Sequence, residues 1–214
     1  MSDRFEEQLD PSEKNLLKSL STPFLIQSFL DSIPYSAENA DRCPVQVLQD
    51  RKAHCLDGAL FAAACLRRLG YPPLVVDLLP EPGTDDDHVL AIFKINGYFG
   101  AIAKSNYVGL RFREAVYRNL HELVLSYFEQ FFNVNRQKTL RAYTRPVNLS
   151  NFDRLDWTWK SNRLSDIEQY FTRIKRHPIL TPAMIDQLSP VDVRSFESGL
   201  IGSLPEGLYQ PLAQ

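Results

Sequence analysis

Residues 53–70, with the sequence AHCLDGALFAAACLRRLG, decide the fold of this chain. Positions 59 to 66 are all apolar. A helix that is apolar all round is buried on every side, so the stretch predicts a central helix from about Cys55 to Leu69. Two arginines favour the negative end of the helix dipole, and the glycine that follows suits a helix C-terminus.

Cys55 stands at the first turn of this predicted helix. The positive end of the helix dipole favours the thiolate form of a cysteine at that position. His88 opens the second predicted strand after the helix. A nearby imidazole can hold a thiolate as an ion pair and later protonate a leaving group, so the two residues form a candidate nucleophilic pair. Taken alone, Cys55 is also compatible with a small apolar core residue.

The composition is that of a soluble globular protein, with 44% hydrophobic and 23% charged residues among 214. A formal net charge of -2 implies no general affinity for nucleic acid or for an anionic membrane. The three cysteines, Cys43, Cys55 and Cys65, are odd in number and have no framework spacing. No apolar run approaches the ~20 residues of a spanning helix. We therefore expect a cytoplasmic protein with neither nucleic acid nor membrane as a partner. The thiol chemistry expected of Cys55 and His88 needs no cofactor.

The order of the predicted elements indicates a single α+β domain over residues 1–214. Short N-terminal helices are expected over 12–35, a core over about 42–145 and a helical extension over 150–214. Alternation and turn residues predict strands in the core, and helical spacing predicts one long helix after them. The strands are Leu74–Leu79, His88–Ile95, Tyr98 to about Lys104 and Leu140–Leu149, and the long helix is Glu114–Asn133.

The Asn-Gly pair at 96–97 is a strong signal for a two-residue hairpin. Counting outward from that turn pairs His88 with Ser105 on the facing strand. Cross-strand partners share a face, with Cβ atoms ~5 Å apart. Ser105 is therefore the group expected to orient the His88 ring, and Asn106 is the next candidate.

This order of elements resembles the transglutaminase-like core, which belongs to the papain-like cysteine protease fold. The resemblance covers roughly residues 42–106. It is carried by Cys55 on a buried helix that ends in Leu-Gly-Tyr, a valine-rich strand, His88 on the next strand and the Asn-Gly hairpin followed by an aromatic residue. It implies a Cys-His-Asp triad and thiol acyl-transfer chemistry, as in transglutaminases, proteases and amide hydrolases.

The sequence departs from the family pattern at the third member of the triad. Gapless counting places Ala103 where the family has aspartate. Alanine cannot accept a hydrogen bond from an imidazole, so Ser105 or Asn106 would replace the aspartate as a weaker, neutral group. Gln49 lies six residues before Cys55, and papain-like enzymes have an oxyanion-hole glutamine at a similar distance. The backbone N–H of Cys55 is the other oxyanion donor expected.

Two functions follow from these residues. The first is a cysteine hydrolase or acyltransferase that attacks an amide or peptide-type carbonyl with the Cys55 thiolate. The alternative is a catalytically weakened or inactive module that serves as a binding or scaffold protein. A metal site formed by Cys55, His88 and an aspartate from 85–87 is less favoured, because the usual zinc-ligand spacings are absent. One of those aspartates is also placed to raise the pKa of the His88 imidazole.

Overall fold

A computed structural model describes residues 4–211 as an antiparallel β-sheet with helices against it. The strand order is β4-β3-β2-β1-β5-β7, and the short β6 also pairs with β1. This arrangement confirms the predicted α+β class. The strands are β1 Leu74–Pro80, β2 His88–Ile95, β3 Tyr98–Ile102, β4 Arg113–Tyr117, β5 Leu140–Thr144, β6 Val147–Asn148 and β7 Arg176–Pro178.

The predicted central helix is present as α5, and all of its residues from Cys55 to Leu66 are buried. It packs mainly on β2. No described helix is long and apolar enough to cross a membrane. The helices are α1 Arg4–Glu7, α2 Pro11–Ser19, α3 Pro23–Ser32, α4 Pro44–Asp50, α5 Cys55–Arg68, α6 Leu120–Leu125, α7 Leu164–Arg173, α8 Pro182–Ile185 and α9 Val193–Gly199.

The sheet separates two hydrophobic clusters, because successive side chains of a strand point to opposite faces. On β2, Val89, Ala91 and Phe93 join the cluster that contains α5. Leu90 and Ile92 join the cluster on the other face. On β2, odd-numbered residues therefore face α5, and the side chains of even-numbered residues cannot approach its N-terminus.

The hairpin between β2 and β3 has the predicted two-residue turn. Asn96 and Gly97 both have positive φ, 52° and 86°, as a type I′ turn requires. Pairing runs from Ile95 and Tyr98 at the turn only as far as Ala91 and Ile102. The chain then leaves β2, so the predicted pairing of positions 88 and 105 does not form.

The predicted long helix over 114–133 is wrong. Its first residues belong to the edge strand β4, and a six-residue helix, α6, follows. Asn119 separates the two elements, because its side chain accepts a hydrogen bond from the Glu122 N–H and caps α6. Val116 is 63% exposed, so the apolar residues at helical spacing do not share one face. The segment after residue 150 contains α7, α8 and α9 and also contributes β7 to the sheet.

Candidate functional site

Cys55 is the first residue of α5, as the sequence predicts, with His54 as the N-cap. Its Sγ lies 3.9 Å from the backbone oxygen of Asp87, the residue immediately before β2. The residue is only 8% exposed and contributes to the lining of a cleft. The thiol is thus held at the helix N-terminus against the backbone where β2 begins.

His88 points to the other side of the sheet. It pairs with Leu78 on β1, and both side chains lie on the sheet face that points away from α5. Its Nε2 donates a hydrogen bond to the Leu110 carbonyl at 2.7 Å, and its ring centroid lies 6.4 Å from that of Phe131. The predicted side-chain contact between Cys55 and His88 is therefore wrong, because the offset of one residue along a strand reverses the face.

The pKa shifts of His88 and Cys55 also differ from those predicted. Burial lowers the pKa of His88 to about 4, although its hydrogen bond to Leu110 acts in the other direction. Burial, followed by the charges of Asp87 and Asp86, raises the pKa of the Cys55 thiol well above its ordinary value. The helix dipole favours a thiolate by only ~0.3–1 kcal/mol at exposed sites, and here burial and carboxylates outweigh it.

The two groups proposed to orient His88 have other partners. Ser105 Oγ accepts a hydrogen bond from the Tyr107 N–H at 2.9 Å. Asn106 binds the backbone of Leu204, with Nδ2 donating to its oxygen at 2.8 Å and Oδ1 accepting from its nitrogen at 2.7 Å. Both assignments as imidazole partners are corrected, because the chain leaves the sheet after Ile102.

The oxyanion site predicted from Gln49 and the Cys55 N–H is not assembled. Gln49 is exposed on α4 and is not among the described residues that line the cleft. Tyr35 takes the place beside the Cys55 backbone. Burial, followed by the charge of Cys55, raises the pKa of its phenol, and the Cys55 backbone acts in the opposite direction. Tyr35 and Cys55 line the same cleft.

The cleft beside Cys55 has a volume of about 500 Å³. Its apolar lining includes Leu79, Val89 and Phe171, and residues 206–209 near the C-terminus line it as well. Acidic side chains outnumber basic ones in this lining, since Arg176 and His54 are the basic residues among those described. The acidic residues are Glu38, Asp41, Asp77, Asp86, Asp87, Glu168 and Glu206.

Asp77 is the site residue that the sequence-based prediction missed. It pairs with Val89 across β1 and β2 and is 1% exposed. Its Oδ1 is buried with no hydrogen-bond partner among the described residues. Burial and the charge of Asp87 raise its pKa, and Arg176 acts in the opposite direction. The signal was present in the sequence, because an aspartate inside the apolar run LVVDLL rarely occupies a core position without a reason.

The residues best arranged to hold a metal are Asp41, His54 and Asp57, whose ligand atoms all lie within 4.8 Å of one another. Their contacts are accounted for by helix capping. His54 Nδ1 accepts from the Leu56 N–H, and its Nε2 faces the carboxylates of Asp41 and Asp57 at 3.3 and 3.2 Å. Burial opposes the charge on His54, but those carboxylates raise its pKa overall. The cluster therefore acts as the N-cap network of α5.

Comparison with known proteins gives similarity at the level of structure only. No family model matches the chain, and no curated protein matches it. A structure of LapG from Legionella pneumophila has a TM-score of 0.41 and 12% identity over 73% of this chain and 92% of its own. The calcium-bound form gives 0.39 and 14% over 63% and 72%, and the EGTA-treated form 0.41 and 12% over 81% and 95%. These TM-scores identify no activity, and the α+β assignment rests on the sheet topology of the chain itself.

Proposed function

We propose that this chain is a catalytically inactive transglutaminase-like module that binds an extended segment of a partner protein in the Cys55 cleft. One observation carries the proposal: His88 lies on the sheet face opposite to α5 and donates its Nε2 proton to the Leu110 carbonyl. Thiol acyl transfer needs a base within hydrogen-bond reach of the sulfur. Reversing the face of His88 would require a register slip of β2, which would exchange the apolar side chains that this strand contributes to the two hydrophobic clusters.

The surroundings of the thiol support the same conclusion. Negative charge at Asp86 and Asp87 disfavours the thiolate, which is the reactive form of cysteine. This charge acts against nucleophilic attack by Cys55 on a carbonyl.

The shape of the cleft supports binding of a peptide. A volume of about 500 Å³ lies within the ~300–1,000 Å³ of ordinary ligand pockets. One wall is the chain's own segment 206–209, next to the Asn106–Leu204 pair of hydrogen bonds. A second extended segment beside it would have both apolar and acidic groups to contact. The cytoplasmic location and the absence of nucleic acid partners stay predictions.

Alkylation of the native protein with iodoacetamide at pH 7.5, followed by mapping of the modified residue, tests this proposal. Cys55 should react more slowly than N-acetylcysteine. The variant His88→Gln, whose side chain retains a hydrogen-bond donor for Leu110, should leave the rate unchanged. A Cys55 that reacts faster than N-acetylcysteine and loses this advantage in His88→Gln would overturn the proposal and favour the cysteine hydrolase or acyltransferase.

A further inference from the structure

We propose that the acidic end of the cleft is a pocket for a guanidinium group, so that the bound segment presents an arginine there. This inference rests on the binding function proposed above. The pocket is formed by the carboxylates of Asp77, Asp86 and Asp87, which line the cleft together with Cys55.

Asp77 is the first part of the argument. Its Oδ1 is buried and has no partner among the described residues. Most buried polar atoms have a hydrogen-bond partner, so an exception points to a missing one. The backbone N–H of Asp77 is bound by Thr144 Oγ1 at 3.0 Å, and its strand pairs with Val89. The backbone is thus fixed, and the unmet hydrogen-bonding capacity belongs to the carboxylate that lines the cleft.

The carboxylates of Asp86 and Asp87 are the second part of the argument. Burial, followed by the charges of Asp86 and Glu168, raises the pKa of Asp87 to about 6, and burial also raises the pKa of Asp86. Arg176 is exposed and lines the same cleft, and its charge lowers the pKa of Asp77 and of Asp87, but among residues 4–211 it forms no ion pair with these carboxylates. A cation supplied by a ligand would therefore compensate carboxylates that the chain's own arginine leaves without a close partner.

The residues that line the cleft favour a guanidinium over other cations. A guanidinium presents five N–H donors in a planar fork and can bridge two carboxylates. The apolar side chains of Leu79, Val89 and Phe171 line the same cleft and offer contacts for the aliphatic stem of an arginine. A calcium ion would instead require six to eight oxygen ligands around one point.

Titration of the ¹⁵N-labelled full chain with N-acetyl-arginine methylamide, followed by NMR, tests the pocket. Two control ligands are the citrulline analogue, which has the shape of the arginine compound without its charge, and the lysine analogue, which has its charge without the guanidinium. We expect the arginine compound to shift the backbone amides around Asp77 and Val89. Its apparent Kd should be about tenfold or more below those of the other two, because only the guanidinium combines a positive charge with a planar set of donors for two carboxylates.

Two variants locate the binding. Asp77→Asn keeps the side-chain shape and should weaken arginine binding about tenfold. Asp186→Asn removes an exposed carboxylate just after α8 and should leave binding unchanged. Equal binding of the citrulline or lysine compound, or no effect of Asp77→Asn, would overturn the guanidinium pocket. Calcium chloride that shifts the same amides with a lower apparent Kd than the arginine compound would also overturn it. A working arginine pocket beside a fast, His88-dependent thiol would instead overturn the proposed function and leave the pocket standing.

Discussion

The side chains of Cys55 and His88 lie on opposite faces of the sheet, although the Cys55 sulfur is only 3.9 Å from the backbone oxygen of Asp87, the residue before His88. The backbone beside His88 is therefore close to the Cys55 sulfur, but the His88 imidazole is not. The sulfur meets the carbonyl of one residue, while the imidazole of the next is turned into the second hydrophobic cluster. A thiol and an imidazole so arranged cannot share a proton.

The first prediction concerns the pH profile of the thiol. Alkylation rate against pH should show an inflection for Cys55 above the free-thiol value of ~8.5, because burial and the charges of Asp87 and Asp86 disfavour the thiolate. Asp87→Asn should lower that inflection and speed alkylation several-fold at pH 8. Asp186→Asn is the matched control and should change neither. An inflection below 8.5 in the wild type would contradict this electrostatic account.

The second prediction concerns stability. Burial and the charge of Asp87 raise the pKa of Asp77 in the folded state. The folded state then holds this proton more tightly than the unfolded state, so the contribution of Asp77 to stability falls as pH rises above ~4 through the folded pKa. Asp77→Asn should therefore increase the free energy of unfolding at pH 8 by about 1–3 kcal/mol, because a neutral amide replaces a carboxyl group that is costly to ionise at this buried position.

Urea denaturation of wild type and Asp77→Asn across pH 4 to 8 measures this difference. The gain should be largest at pH 8 and should shrink towards pH 4, where the carboxyl is protonated. The difference between the two proteins removes the contribution of other titrating groups, such as His88, whose lowered pKa acts in the opposite direction. A gain that does not depend on pH would show that the charge of Asp77 is not its cause.

Local rules predict the elements around the site well. The all-apolar run gives α5, and the Asn-Gly pair gives the hairpin and the register from Ile95 to Ala91. These features depend on residues close in the sequence, which is why the pattern specifies them. The buried position of Cys65 inside the run is confirmed for the same reason.

The error over His88 arises where a long-range contact ends the hairpin. Beyond Ile102 the backbone N–H and carbonyl of Ala103 bind the side chain of Gln27, 76 residues away, instead of β2. Counting along the strand cannot anticipate that competitor, so Ser105 was placed in a pairing that does not exist. Which face of β2 receives α5 is likewise set by tertiary packing, not by the strand's own sequence.

The third prediction concerns Gly58, which lies in the second turn of α5. A Cβ added there would stand 2.3 Å from the Lys104 Cβ, so the neighbouring chain after β3 would have to move. Helix propensity alone would make Gly58→Ala stabilising by ~1 kcal/mol. Overpacking costs ~1–3 kcal/mol, so we expect net destabilisation in urea or thermal denaturation. A stabilised Gly58→Ala protein would contradict this close approach of α5 to the chain after β3.

The last prediction concerns the segment that forms one wall of the cleft. Asn106 makes two hydrogen bonds to the backbone of Leu204, and Gly207 lies so close to Tyr35 that an added Cβ would stand 2.9 Å from its ring. Asn106→Ala should remove both hydrogen bonds and speed hydrogen exchange of the Leu204 amide about tenfold, since each bond contributes ~1 kcal/mol. Asn106→Asp keeps the acceptor and should protect that amide better than alanine does.

Asn119→Ala, which removes the N-cap of α6, is the matched control and should leave the Leu204 amide unchanged. Unaltered exchange at Leu204 in Asn106→Ala would show that apolar packing alone holds this wall, because the side chain of Asn106 is then unnecessary for its position.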